Sequence, residues 1–159
     1  MITLAPGRAV GQLLDRATIR PELYAEVTLC SPYIDETLAC RVRALVNAAK
    51  GPSCGVTVIT APAGARQLYS CFRPSAVPRL LRIIVRRNLH TKTYVMVARM
   101  GSARSEALVT SANLTAAALS KNEELGIRIV GNSPGGRALM AQLTNSLRRL
   151  TAASSQRHL

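Results

Sequence analysis

His90 stands two residues before Lys92 in a 159-residue sequence that holds only two histidines, the other being His158. Lysine is nearly as scarce, since three of the 21 basic residues are lysines and the rest are arginines. The stretch 92–98, KTYVMVA, has the β-branched and aromatic content of a strand. Along a strand, residues two apart project from the same face. His90 and Lys92 are therefore expected side by side, an imidazole nucleophile beside a fixed cation. Neutral imidazole is a competent nucleophile near its ordinary pKa of about 6.5. Downstream, Ser111-Ala112-Asn113 and Asn122-Glu123-Glu124-Leu125-Gly126 add a hydroxyl, an amide and a carboxylate. Each residue alone has a plain structural reading. A single His or Lys is usually a strand residue, an Asn after a strand a turn or cap, and Glu123-Glu124 an exposed pair beside Lys121. Their joint order in a chain poor in lysine and histidine favours a shared chemical purpose.

These side chains need elements to hold them. Alternation and short apolar runs predict strands over 26–31, 55–60, 81–85, 92–98, 107–111 and 125–130. Asp35 is placed to cap a helix over 36–49, whose Leu38, Val42, Leu45, Val46 and Ala49 share one face before Gly51-Pro52 ends it. Shorter helices are expected over 9–16, within the proline-punctuated stretch 61–78, and over 112–120. A Gly-Ser turn at 100–105 makes a hairpin of its flanking strands. Ser133-Pro134 opens the last helix. Leu139, Leu143, Leu147 and Leu150 form its apolar stripe, and Arg148-Arg149 complement its C-terminus. This order implies an α/β fold, one mixed β-sheet flanked by helices on both faces. The chain reads as a single domain, 1–159, with its core at about 24–150 and a flexible tail at 151–159.

Composition narrows the partners. A formal charge of +13 with no compensating acidic block favours a polyanion, and nucleic acid is the commonest, DNA ahead of RNA. Aromatic residues make up only 3% of the chain, which poorly supplies a base-stacking platform. Binding is then expected to rest on phosphate contacts that weaken with salt. Arg86 and Arg87, just before the His90 segment, and Lys121, just before Glu124, are placed to line a substrate groove. No apolar run approaches the ~20 residues of a membrane span, and residues 1–15 lack signal-peptide character. A cytoplasmic protein without stable membrane association is the default expectation. Cys30, Cys40, Cys54 and Cys71 form no CxxC pair and are read as buried free thiols, with no metal site and no cofactor.

The ordered set His90-x-Lys92, Ser111-x-Asn113-Leu114-Thr115 and Glu124-Leu125-Gly126 resembles the phospholipase D superfamily. That signature is H-x-K, a four-residue gap and Asp, then G-S-x-N, then Glu before Leu-Gly. The resemblance extends over roughly 24–130 and includes the turn Ser31-Pro32-Tyr33-Ile34. Two positions depart from it: Val97 stands where the aspartate falls, and Thr110 where the glycine precedes Ser111. The Val97 form is similar to the family's small metal-independent nuclease branch. What the resemblance implies is a hydrolase, a phosphodiesterase or endonuclease acting on DNA or RNA. His90 would attack phosphorus and form a phosphohistidine, splitting one displacement into two. Lys92 and Asn113 would hold the non-bridging oxygens, with Ser111 as a further donor. Glu124 would accept a hydrogen bond from His90 and fix its tautomer, as a carboxylate does in a triad. The leaving oxygen also needs an acid, and the family suggests a homodimer in which two His90 side chains meet across a two-fold axis. His158 has no H-x-K context and is set aside. Two alternatives stay open: a non-catalytic nucleic-acid-binding member and a phospholipid phosphodiesterase.

Overall fold

The computed structural model describes residues 1–6, 8–52, 54–72, 78–100 and 104–152. Among them, seven strands form one sheet: β1 (Ile2–Pro6), β2 (Tyr24–Cys30), β3 (Gly55–Thr60), β4 (Leu81–Val85), β5 (Thr93–Ala98), β6 (Glu106–Thr110) and β7 (Leu125–Val130). Their spatial order is β1-β7-β6-β5-β2-β3-β4. β2, β3 and β4 run parallel, while β2–β5, β5–β6, β6–β7 and β7–β1 are antiparallel. The sheet is therefore mixed, and its parallel half explains the apolar runs of β2 and β3, which are covered on both faces.

The pleat sorts the core into two layers. Tyr94 and Met96 of β5 face α1 (Arg8–Ile19), α2 (Glu36–Ala49), α3 (Pro62–Cys71) and α4 (Ala116–Ser120), meeting Leu13, Leu14, Leu38, Val42 and Leu68. Val95 points the other way, with Cys30, Ile59 and Ile84, against Met140 and Leu147 of α5 (Pro134–Ala152). Helices thus cover both faces, as expected. The expected strands and helices all appear, with moved ends. β6 ends at Thr110, and the helix expected over 112–120 is only the five residues of α4. The leading helix is longer, twelve residues against the eight of 9–16, and its Leu13 and Leu14 are fully buried, so the core begins well before residue 24. β1 was not anticipated. Its sequence, ITLAP, buries only Ala5 and ends in proline, and pairing with β7 makes it a strand. The centre of the turn expected at 100–105, and 153–159 of the expected tail, lie outside the described residues; Thr151 and Ala152 still belong to α5.

Covering one face with α5 leaves part of that face open. Leu4, Ile127 and Val109 are register partners across β1, β7 and β6, so they stand side by side. They are 75%, 45% and 37% exposed, and Leu125, two residues before Ile127, is 64% exposed. An apolar row therefore runs along the outer strands up to the end of β7 that follows Glu124.

Asp35 joins two helices. Its Oδ1 accepts from Leu38 N at 2.9 Å and caps α2, while Oδ2 accepts from Ala116 N at 2.5 Å in the first turn of α4. Asp35→Ala orphans both amides. The expected cost is about 2–3 kcal/mol and a thermal midpoint lower by roughly 5–10 °C, read by circular dichroism. Asp35→Asn keeps one acceptor oxygen and is expected to recover about half of that loss.

Candidate active site

The lead-in to β5 is pinned on both sides of an exposed pair. Leu89 is buried with Cys30, Ile59 and Ile84, whereas His90 and Thr91 are exposed. The Thr91 carbonyl accepts from Cys30 Sγ at 3.7 Å. Burial pushes the Cys30 thiol up to about 12, so it keeps the proton it donates. The Lys92 carbonyl accepts from Thr110 N at 3.1 Å, extending the β5–β6 ladder one step beyond Thr93. His90 and Lys92 therefore sit in an extended lead-in, not on the strand expected over 92–98. What keeps them together is local: Lys92 Nζ donates to the His90 carbonyl at 3.3 Å.

The exit of β6 brings the second group to the same end of the sheet. Ser111 N donates to the Leu125 carbonyl at 3.0 Å, and Leu125 N donates back to Ser111 Oγ at 3.2 Å. Ser111 Oγ–H donates to the Glu124 carboxylate, and the Asn122 amide donates to Glu124 Oε1 at 3.4 Å. The close approach of the two strands depends on Gly126, the partner of Thr110. A Cβ there would stand 2.7 Å from Thr110 Cβ and 2.8 Å from the Val109 carbonyl oxygen. Leu-Gly after Glu124 thus follows from packing, the more so with Thr110 in place of a glycine.

Asn113 is held by its neighbours. Ala112 and Leu114 are fully buried. The Tyr94 hydroxyl donates to the Ala112 carbonyl at 2.9 Å. Burial pushes the Tyr94 hydroxyl well above its ordinary value, and the Glu124 charge adds to that, so it remains a donor. Leu114 N reaches Ser31 Oγ at 3.0 Å and the Tyr33 carbonyl at 3.2 Å, and Asp35 N returns a bond to the Leu114 carbonyl at 3.2 Å. The turn after β2 is therefore a clamp on the Asn113 loop. Asn113 Oδ1 is buried and has no hydrogen-bond partner among the described residues.

Several expectations need revising. The Glu124 carboxylate is engaged by Ser111 and Asn122, and among the described residues no hydrogen bond joins it to His90. Arg86 does not reach into a groove; its Nε donates to the Leu150 carbonyl at 3.0 Å and its Nη2 to the same oxygen, closing the C-terminus of α5. That role had been expected of Arg148-Arg149. Arg87 is exposed in the turn before Leu89, and Lys121 is exposed at the end of α4. His158 lies outside the described residues. Val97 is remote from the reactive end, four residues or about 13 Å along β5 from Thr93. It packs on the α5 face beside a cavity of about 150 Å³. Among the described residues no three His, Cys, Asp or Glu side chains cluster as a metal site. Sequence reasoning missed Ser31, Tyr94 and the second bond of Asp35. A signal existed for the first, since Ser31 opens the turn that the resemblance included.

No protein-family model and no curated protein matches the sequence. Solved structures do match. A polyphosphate kinase from Porphyromonas gingivalis superposes with a TM-score of 0.67 at 16% identity, over 96% of this chain and 26% of that one. Nuc from Salmonella typhimurium, a phospholipase D family member, superposes with a TM-score of 0.55 at 15% identity, over 91% of both chains. The chain has a phospholipase D fold. TrmBL2, an archaeal chromatin protein with its own mode of DNA binding, matches at a TM-score of 0.55 and 11% identity, over 93% of this chain and 52% of that one. The phospholipase D fold here therefore spans about a quarter of the kinase's length and nearly all of Nuc.

Proposed function

We propose that the protein is a metal-independent phosphodiesterase, an endonuclease that cleaves DNA or RNA, with its active site completed at a homodimer interface. The observation that carries this reading is the convergence of the His90-Lys92 lead-in, the Ser111–Asn113 loop and Glu124 at one end of the sheet, two of them bonded to each other through Ser111 and Glu124. The exposed His90 is open to a phosphodiester, and the Lys92 ammonium is held on the same segment by its bond to the His90 backbone carbonyl. The net charge of +13 favours a polyanionic substrate. Arg87 and Lys121 are available for backbone phosphates.

In this mechanism His90 attacks phosphorus, a P–N bond forms and the bond to the leaving oxygen breaks. The partner's protonated His90 gives its proton to that oxygen. Water then attacks the phosphohistidine, the P–N bond breaks, and the same partner imidazole takes up the water's proton. Lys92 and Asn113 stabilise charge on the non-bridging oxygens. Glu124 accepts the Ser111 hydroxyl proton and so ties β7 to the exit of β6 beside the reacting groups. Val97 lies too far along β5 for its identity to remove a reacting group.

The test is to incubate the full chain with end-labelled DNA and RNA oligonucleotides in excess chelator. Cleavage with a trapped, acid-labile protein adduct is the expected result. Tight binding without cleavage would replace the proposal with a non-catalytic DNA-binding role, which the TrmBL2 likeness and the charge favour as the second reading. Activity on phospholipid vesicles alone, or a strict need for a divalent ion, would overturn it.

A further inference from the structure

We propose that Cys40 and Cys71 are an oxidisable pair, closed by hydroperoxides into an intrachain disulfide that staples α2 to the end of α3. Their sulfurs stand 3.5 Å apart although the residues are 31 positions apart in sequence. All four cysteines are free thiols, but they fall into two classes. Cys30 and Cys54 are fully buried, whereas Cys40 and Cys71 are only half-buried, within reach of a small oxidant. Closing the gap to a bond of about 2.05 Å asks for a movement of roughly 1.5 Å. Cys71 is well placed to make it. It is the last residue of α3, and Phe72 after it has already left the helix for extended backbone.

Geometry, not acidity, marks the pair, and one cation lies near it. Arg43 Nη1 donates to the Cys71 carbonyl at 3.1 Å, which holds a guanidinium beside the end of α3. Burial and the neighbouring Cys40 sulfur raise the Cys71 thiol, and Arg43 and the Ser70 hydroxyl offset that shift only in part. The step balances without a cofactor. One thiol attacks a hydrogen peroxide oxygen and becomes a sulfenic acid as water leaves. The other thiol attacks that sulfur, the S–S bond forms and a second water leaves. Two thiols lose two electrons and two protons, and one peroxide becomes two waters.

The staple lies away from the reactive end. α3 leaves β3 where Gly64 packs on Thr60 and Ile34, and Cys71 is at the helix's far end, about 10 Å along the axis from Gly64. Bridging is therefore expected to change stability and not chemistry. A loop of this length predicts a thermal midpoint higher by roughly 5–12 °C.

The experiment treats the full chain with hydrogen peroxide at one to ten equivalents, then quenches and unfolds it. The expected result is loss of two of the four thiols, a mass decrease of two hydrogens, and a peptide map joining Cys40 to Cys71. The midpoint should rise, and dithiothreitol should reverse every change. Cys40→Ser and Cys71→Ser should each abolish the bridge, while Cys30→Ser and Cys54→Ser should keep it. Four thiols surviving treatment, a bridge between other cysteines or between chains, or sulfinic acid in place of a bridge would overturn the proposal. So would a bridge that leaves the midpoint unmoved. Because the mass and thiol readouts are made on the unsubstituted chain, they stand even if a serine variant fails to fold.

Discussion

His90→Ala is expected to lower cleavage of a labelled oligonucleotide by about 10⁴-fold or more, because the proposed nucleophile and the acid proposed to face it are the same residue on two copies. Among the described residues no other histidine is present to take either role. The protein adduct disappears with it. Binding of the same oligonucleotide should stay within about two-fold, since phosphate affinity rests on the cations and not on His90. The thermal midpoint should also hold, because His90 is exposed and its segment is anchored by Leu89 and Thr91 on either side. Lys92→Ala and Asn113→Ala remove charge stabilisation only, and about 10²–10³-fold is expected for each. A His90→Ala protein that cuts at a tenth of the normal rate would remove the imidazole from the mechanism.

The second large effect concerns the uncovered apolar row of Leu4, Ile127, Val109 and Leu125. The row ends at Leu125, whose backbone is hydrogen-bonded to Ser111. A second copy seated there would lie against the reactive end, where the missing acid is needed. Leu4→Asp combined with Ile127→Asp is expected to turn a dimer into a monomer in analytical ultracentrifugation, and to lower cleavage by more than about 10²-fold. Each buried, unpaired carboxylate costs several kcal/mol, and a symmetric interface holds four of them. Both positions are exposed in a single copy, so the fold should survive with its circular dichroism spectrum unchanged. An unsubstituted chain that is monomeric and fully active, or a double variant that keeps both dimer and activity, would refute the two-histidine arrangement.

How much of this was legible beforehand depends on the range of the signal. The spans of β2, β3 and β4 and the cap at Asp35 were readable because apolar runs and N-caps are local patterns. The motif residues His90, Lys92, Ser111, Asn113 and Glu124 were readable from rarity and order. Contacts between distant segments were not. Nothing in ITLAP announces a strand until β7 lies beside it. Nothing in the Asp35 neighbourhood announces that its second oxygen serves Ala116, 81 positions on. The helix expected from 112 begins only at 116, because Ser31, Asp35 and Tyr94 fasten 111–115 to the sheet in another conformation. Glu124 was assigned to His90 by family logic, and its bond to Ser111 follows instead from the β6–β7 register. The Cys40–Cys71 approach likewise exists only once α2 and α3 pack.

The antiparallel β2–β5 ladder has a consequence for how the molecule comes into being. Within the sheet it joins the parallel strands β2, β3 and β4 to the antiparallel strands β5, β6 and β7, and its partners, such as Cys30 and Thr93, are far apart along the chain. Closing so long a loop is slow compared with forming hairpins or helices. The clamp at Ser31–Asp35 belongs to one side of that ladder, and the Asn113 loop it grips belongs to the other. A copy in which that ladder has not formed therefore lacks the grip on the Asn113 loop, and the proposed active site is assembled only once distant segments have paired.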